Sequence, residues 1–143
     1  MSESAIAAPG LRHLCSVDLT VHTPMKIGEG PSGNRLVAEI ATMRLSGERL
    51  NAELVGSAAA DWLAIANNVA TIHVRATLKT DDGALIYLLY TGRTDVTNGL
   101  GSSSVVVAPV FETSDERYLW LNSLQAIGKG DVGKLRYEWF EVL

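Results

Sequence analysis

The sequence predicts an all-β protein, a closed antiparallel β-barrel or a β-sandwich of about nine or ten strands with one short helix. Three observations carry that reading. The dominant apolar period is two residues rather than 3.6, as in strands whose alternate side chains face core and solvent. β-Branched and aromatic residues fill the alternating runs. Clusters of Asn, Asp and Gly separate the runs at short intervals, as in sequential strands joined by tight turns.

Taken in order, residues 1–10 are small and mildly acidic, with no cationic start. They read as an arm ahead of a single β domain over 11–143, not as a secretory signal. The stretch Leu11–Val21 places His13, Cys15, Val17, Leu19 and Val21 on one face. Residues 28–33, with Pro31, read as a loop. Asn67-Asn68 closes a short apolar segment that starts at Trp62. Val69–Thr80 then alternates Ile72, Val74, Ala76 and Leu78 against Thr71, His73, Arg75, Thr77 and Lys79. Asp81-Asp82-Gly83 is a hairpin turn, because Gly takes the positive φ that tight turns need and Asp tolerates it.

The next strand, Leu85 to Thr91, is apolar on both faces, as is Val105–Val107. A strand wet on one side does not read this way, so its outer face is expected to be covered by the helix or by a second copy in a homo-oligomer. Residues 98–104 are rich in Gly and Ser and form a loop. Ser114 is the expected cap of the helix, with Asp115 and Glu116 at its positive end and Tyr118 and Leu121 on one face. A last turn at 130–133 leads to a strand that alternates Leu135, Tyr137 and Trp139 against Arg136, Glu138 and Phe140.

Composition narrows the function classes. The chain has 143 residues, 47% hydrophobic and 20% charged, with a formal net charge of −4. A domain of this size buries roughly two thirds of its unfolded surface. Lys and Arg never form a run of three, so neither a nucleic-acid-binding stripe nor a polybasic membrane patch is expected. No apolar run approaches the ~20 residues that cross a bilayer. The single cysteine, Cys15, excludes an internal disulfide and suits a reducing cytoplasm. His13, His22 and His73 lack metal-ligand spacing, and no metal or cofactor is expected.

Several residues fall in step with a known pattern. They are Gly28, Pro31, Gly33-Asn34-Arg35, Gly47, Leu50 and Asp61-Trp62, then Arg75, Thr80-Asp81-Asp82-Gly83, Gly92, Phe111-Glu112-Thr113, and Tyr118 with Trp120-Leu121-Asn122. In their order and spacing the chain resembles the small β-barrel family known as domain-of-unknown-function family 3237. The resemblance implies the barrel rather than the sandwich: a closed antiparallel β-barrel of about eight to ten strands with one short helix, calycin-like or allene-oxide-cyclase-like, that often self-associates. It implies no reaction. The chain departs from the family at Thr42-Met43, where a Gly-Gly pair is common, and at Ala58-Ala59-Ala60, where the family is Gly-rich. Side chains in place of Gly fill space, so the pocket is expected to be reshaped.

A small barrel offers its lumen as a site, apolar with a few placed polar groups. The candidate catalytic residues are Arg75, Asp61 and Glu112, and the candidate substrate-binding residues are Trp62, His73, Tyr87, Tyr90, Trp120 and Asn122. If the His73–Arg75 face points inward, Arg75 holds an anionic or enolic oxygen while a carboxylate or His73 moves a proton. If it points outward, it is a solvated exterior. Asp61 and Trp62, adjacent on a strand, face opposite sides. Either Trp62 packs in the core and Asp61 ends a strand, or Asp61 is inward and Trp62 lies at an interface. Glu112 either lines the site or serves the helix start. Trp120 reads as a core anchor or a ligand wall, and Asn122 as a helix closure or a hydrogen-bonding group.

Two functions fit. One is a cofactor-independent enzyme of the isomerase, cyclase or lyase type, acting on a small, largely apolar, polyketide-like or aromatic metabolite in the lumen. The alternative is a non-catalytic barrel that binds such a ligand. A strongly perturbed carboxyl inside the lumen favours the enzyme, an entirely apolar lumen the binder, and a fully packed barrel neither.

Overall fold

The computed structural model describes residues 5–143. Its twelve strands are β1 Leu11–Val21, β2 Met25–Gly30, β3 Gly33–Ser46, β4 Ala52–Leu54, β5 Ala60–Asp61, β6 Ala64–Ala66, β7 Val69–Thr80, β8 Leu85–Asp95, β9 Val105–Val107, β10 Val110–Glu112, β11 Ala126–Asp131 and β12 Arg136–Val142. Eight of them close an antiparallel barrel in the circuit β1, β3, β4, β7, β8, β9, β11, β12 and back to β1. The other four (β2, β5, β6, β10) pair along β3, β7 and β8. Closure removes the unpaired edges that an open sheet would present. Of the expected N-terminal arm, residues 1–4 lie outside the described residues, and residues 5–10 are exposed and precede the first strand.

The core follows the alternation. Along β7 every second residue is buried, and His73, Arg75, Thr77 and Lys79 face outward. That settles the orientation which the sequence leaves open. A laterally paired row runs around the wall: Ile72, Gly92, Val107, Gly128, Trp139 and Cys15. Trp139 is fully buried, and a Cβ on the facing Gly128 would collide with its indole ring. The glycine is the vacancy that admits the largest core side chain.

One end of the barrel carries the β7–β8 turn and the helix bonded to it. A single 3-10 helix, Glu116–Ser123, buries Leu121 there. Its Tyr118 hydroxyl donates to Asp82 Oδ1 at 2.8 Å, and Arg117 donates to the Asp82 carbonyl at 2.9 Å. Asn122 is bonded twice to Thr113, accepting from its amide at 2.8 Å and donating to its carbonyl at 2.9 Å. The stretch from Thr80 to Asn122 therefore staples the helix to the β7–β8 hairpin, whose turn contains Gly83 at φ +99°.

Four local expectations change. Residues 28–33 are mostly strand, and the loop shrinks to Pro31-Ser32 between β2 and β3. Asp115, not Ser114, caps the helix, accepting from the Arg117 amide. A register shift between His13 and Cys15 turns His13 outward and buries Leu14, because a bulge adds one residue to the alternation. Trp120 is only half-buried, packed against the edge of the core with Arg49 stacked over its ring at 5.1 Å, whereas Trp139 is fully buried. The helix leaves Leu85 on β8 and Val106 on β9 more than half exposed.

Candidate functional site

The open end of the barrel leads to a cavity of about 200 Å³. Its walls are aliphatic, from residues such as Leu19, Leu36, Ile40 and Val74, and its rim carries Pro24, Leu100, Val132 and Leu135. Three side chains bring polar atoms into this lining: Asp61, Tyr90 and Tyr137.

Asp61 reaches the lumen through register. β5 lies between β3 and β7, pairing Asp61 with Ala38 on one side and Val74 on the other. Both partners are buried, and residues paired across strands share a face, so the carboxyl shares their inward face. The next residue, Trp62, therefore points outward. The His73 amide donates to Asp61 Oδ1 at 3.0 Å, and no hydrogen bond among the described residues engages Oδ2. Burial pushes the Asp61 pKa up to about 6, against the opposing pull of the His73 amide. Loss of water disfavours the charged form.

The two tyrosines complete the polar set. Tyr90 packs edge-to-face on Trp139 with ring centroids 5.3 Å apart. Burial raises its pKa well above the usual tyrosine value, helped by the charges of Tyr137 and Asp61. Burial also raises Tyr137, to about 12, with Asp61 and then Asp131 adding to it. Both phenols therefore keep their protons and remain hydrogen-bond donors. Among the described residues neither hydroxyl has a protein partner. Tyr137 is absent from the site expected on sequence, although its alternation with Trp139 places it on the core face. A phenol there needs a partner or a cavity, and that was the available signal.

The other expected residues lie elsewhere. Trp62, Arg75 and Tyr87 line an outer groove of about 590 Å³, together with Glu39 and residues 57–60. There the Arg75 guanidinium stacks over Trp62 at 5.4 Å, while Arg35 donates to the Trp62 carbonyl at 2.6 Å. His73 is exposed on the same outer face. Glu112 and Asn122 border a separate shallow surface with Tyr87, and Trp120 lies by Arg49 and Glu141. The expected catalytic set is thus divided: Asp61 lines the lumen, whereas Arg75 and Glu112 are outside it. Ala58 and Ala60, in the stretch where the resembled family is Gly-rich, line the outer groove.

Among the described residues no group of three or more His, Cys, Asp and Glu side chains is placed to hold a metal ion. No helix is long and apolar enough to cross a membrane.

Comparison with known proteins agrees with this architecture. A β-barrel-like protein from Acinetobacter baumannii is 26% identical, with a TM-score of 0.82 and coverage of 99% of this chain and 100% of that one. A protein of unknown function from Clostridium acetobutylicum is 19% identical, with a TM-score of 0.85 over 94% and 99% of the two chains. A protein described as an enzyme, from Penicillium herquei, is 20% identical, with a TM-score of 0.79 over 99% and 100%. No curated protein matches the chain significantly. The family model described as protein of unknown function (DUF3237) matches residues 9–142, and the chain belongs to that family.

Proposed function

We propose that the protein is a cofactor-independent enzyme of the isomerase, cyclase or lyase type, which moves a proton on a small, largely apolar metabolite held in the lumen. The observation that carries the reading is Asp61, a carboxyl inside an aliphatic cavity with its pKa raised to about 6. A group tuned toward neutrality both takes and returns a proton near pH 7, and acid–base catalysis by such a group is worth roughly 10²–10⁴-fold. The fold likeness to a protein described as an enzyme is compatible with this reading at 20% identity. The aliphatic lining favours a second reading, a non-catalytic carrier of the same ligand.

The discriminating experiment incubates the purified protein with a cellular metabolite extract and follows small uncharged compounds by mass spectrometry. Compounds converted by the native protein and untouched by a folded Asp61→Asn variant are expected. Equal conversion by both, or none by either, would remove the enzyme reading, and retention of a compound unchanged would favour the carrier. We further propose that a second copy covers the outer residues Leu85 and Val106. A monomer in light scattering would refute that.

A further inference from the structure

The lumen's electrostatics narrow the ligand. None of the residues lining the cavity is Lys, Arg or His. An anionic substrate would meet a carboxylate and no compensating cation in a low-dielectric cavity, where unpaired charge is heavily penalised. At about 200 Å³ the cavity is smaller than the roughly 300–1,000 Å³ of pockets for drug-sized ligands. That selects a small ligand, such as a single ring, over a large polycycle.

Resting on the proposed function, we infer that the substrate class is a neutral, single-ring carbonyl compound, and that the reaction shifts a proton between two of its carbons through an enolate. Asp61 Oδ2 is the base, and the Tyr90 and Tyr137 hydroxyls are the donors to the enolate oxygen. With Oδ1 held by the His73 amide, Oδ2 faces the ligand. In the first step the C–H bond beside the carbonyl breaks, its proton passes to Oδ2, and the electron pair moves into a C=C–O⁻ unit. In the second step the protonated Asp61 returns the proton to a different carbon of the conjugated system, and the C=O is restored. No atom or electron is gained or lost, and no co-reactant is needed. The raised tyrosine pKa values keep the phenols as donors, so they stabilise developing charge without themselves ionising. An aspartate base paired with a protonated oxyanion donor is a known solution for enolate chemistry.

The test uses three probes: cyclohex-3-en-1-one, whose conversion to the conjugated cyclohex-2-en-1-one is followed by ultraviolet absorbance; phenol, a neutral mimic of the dienol; and benzoate, its anionic counterpart. The native protein is expected to accelerate the isomerisation and to incorporate solvent deuterium. Asp61→Asn should lose at least about 100-fold of the rate while still binding phenol. Tyr90→Phe and Tyr137→Phe should each lower kcat by roughly ten- to a thousandfold, with a smaller loss of phenol affinity, no more than about tenfold. Benzoate should bind at least ten times more weakly than phenol at pH 7 and recover affinity in Asp61→Asn. Benzoate binding as tight as phenol, or isomerisation indifferent to Asp61→Asn, would overturn the inference. Asp61-dependent turnover of the metabolite extract without turnover of cyclohexenone would overturn this substrate class and leave the enzyme reading standing. Failure in both assays would remove both.

Discussion

Asp61 and His73 are joined across β5 and β7 by a 3.0 Å hydrogen bond from the His73 amide to Asp61 Oδ1. The bond anchors the carboxyl without neutralising it, and burial still raises its pKa from 3.8 to about 6. Between those values the folded protein binds more protons than the unfolded chain, so stability falls as pH rises through this window. The cost is absent below about pH 4 and full above pH 6, where it amounts to at most about 3 kcal/mol. Asp61→Asn, which keeps an oxygen for the His73 amide, should therefore stabilise the protein at pH 7, with the gain shrinking toward pH 4. Urea unfolding at pH 4 and pH 7 measures it, and a variant destabilised at pH 7 would contradict the assigned burial.

Arg75 lies on the other side of the sheet. Its guanidinium covers Trp62 in the outer groove, not the lumen. Arg75→Ala should leave Asp61-dependent turnover within about twofold of native, because Arg75 makes no contact in the lumen and solvent and salt screen an exposed charge. A hundredfold loss of kcat in a folded Arg75→Ala protein would return Arg75 to the catalytic set.

Gly128 faces Trp139 across β11 and β12. Gly128→Ala inserts a methyl group where the indole already sits, and overpacking of this kind costs about 1–3 kcal/mol. A shift of the urea midpoint to lower concentration is expected. An unchanged midpoint would mean that the indole has another place to go.

Cys15 is fully buried, and its thiol pKa is pushed up to about 12 by burial and by Glu138. Since the thiolate is the reactive species, a disulfide reagent at pH 8 should label the native protein only as fast as it opens, and the urea-unfolded chain at once. Rapid labelling of the native state would show that β1 and β12 separate readily.

Much of the fold was legible because strand alternation is a local signal. The two faces of β7, the Asn67-Asn68 turn with both φ values positive, and the Asp81-Asp82-Gly83 turn are all consequences of nearby residues. Errors fell where one inserted residue or one distant contact decides the outcome. The bulge at His13 reverses a face, and Trp120 stays at the edge of the core because Arg49, distant in sequence, stacks over its ring.

The sequence by itself determined an all-β domain of sequential strands, its principal turns and the rule that Asp61 and Trp62 must face opposite sides. Tertiary structure decided which of the two points inward, because the register of β5 between β3 and β7 is set by pairing partners on both flanks. It also decided that Tyr90 and Tyr137 share the cavity with Asp61 while Arg75 and Glu112 do not. Alternation tells a residue's neighbours apart, but only closure of the sheet gives the barrel an inside.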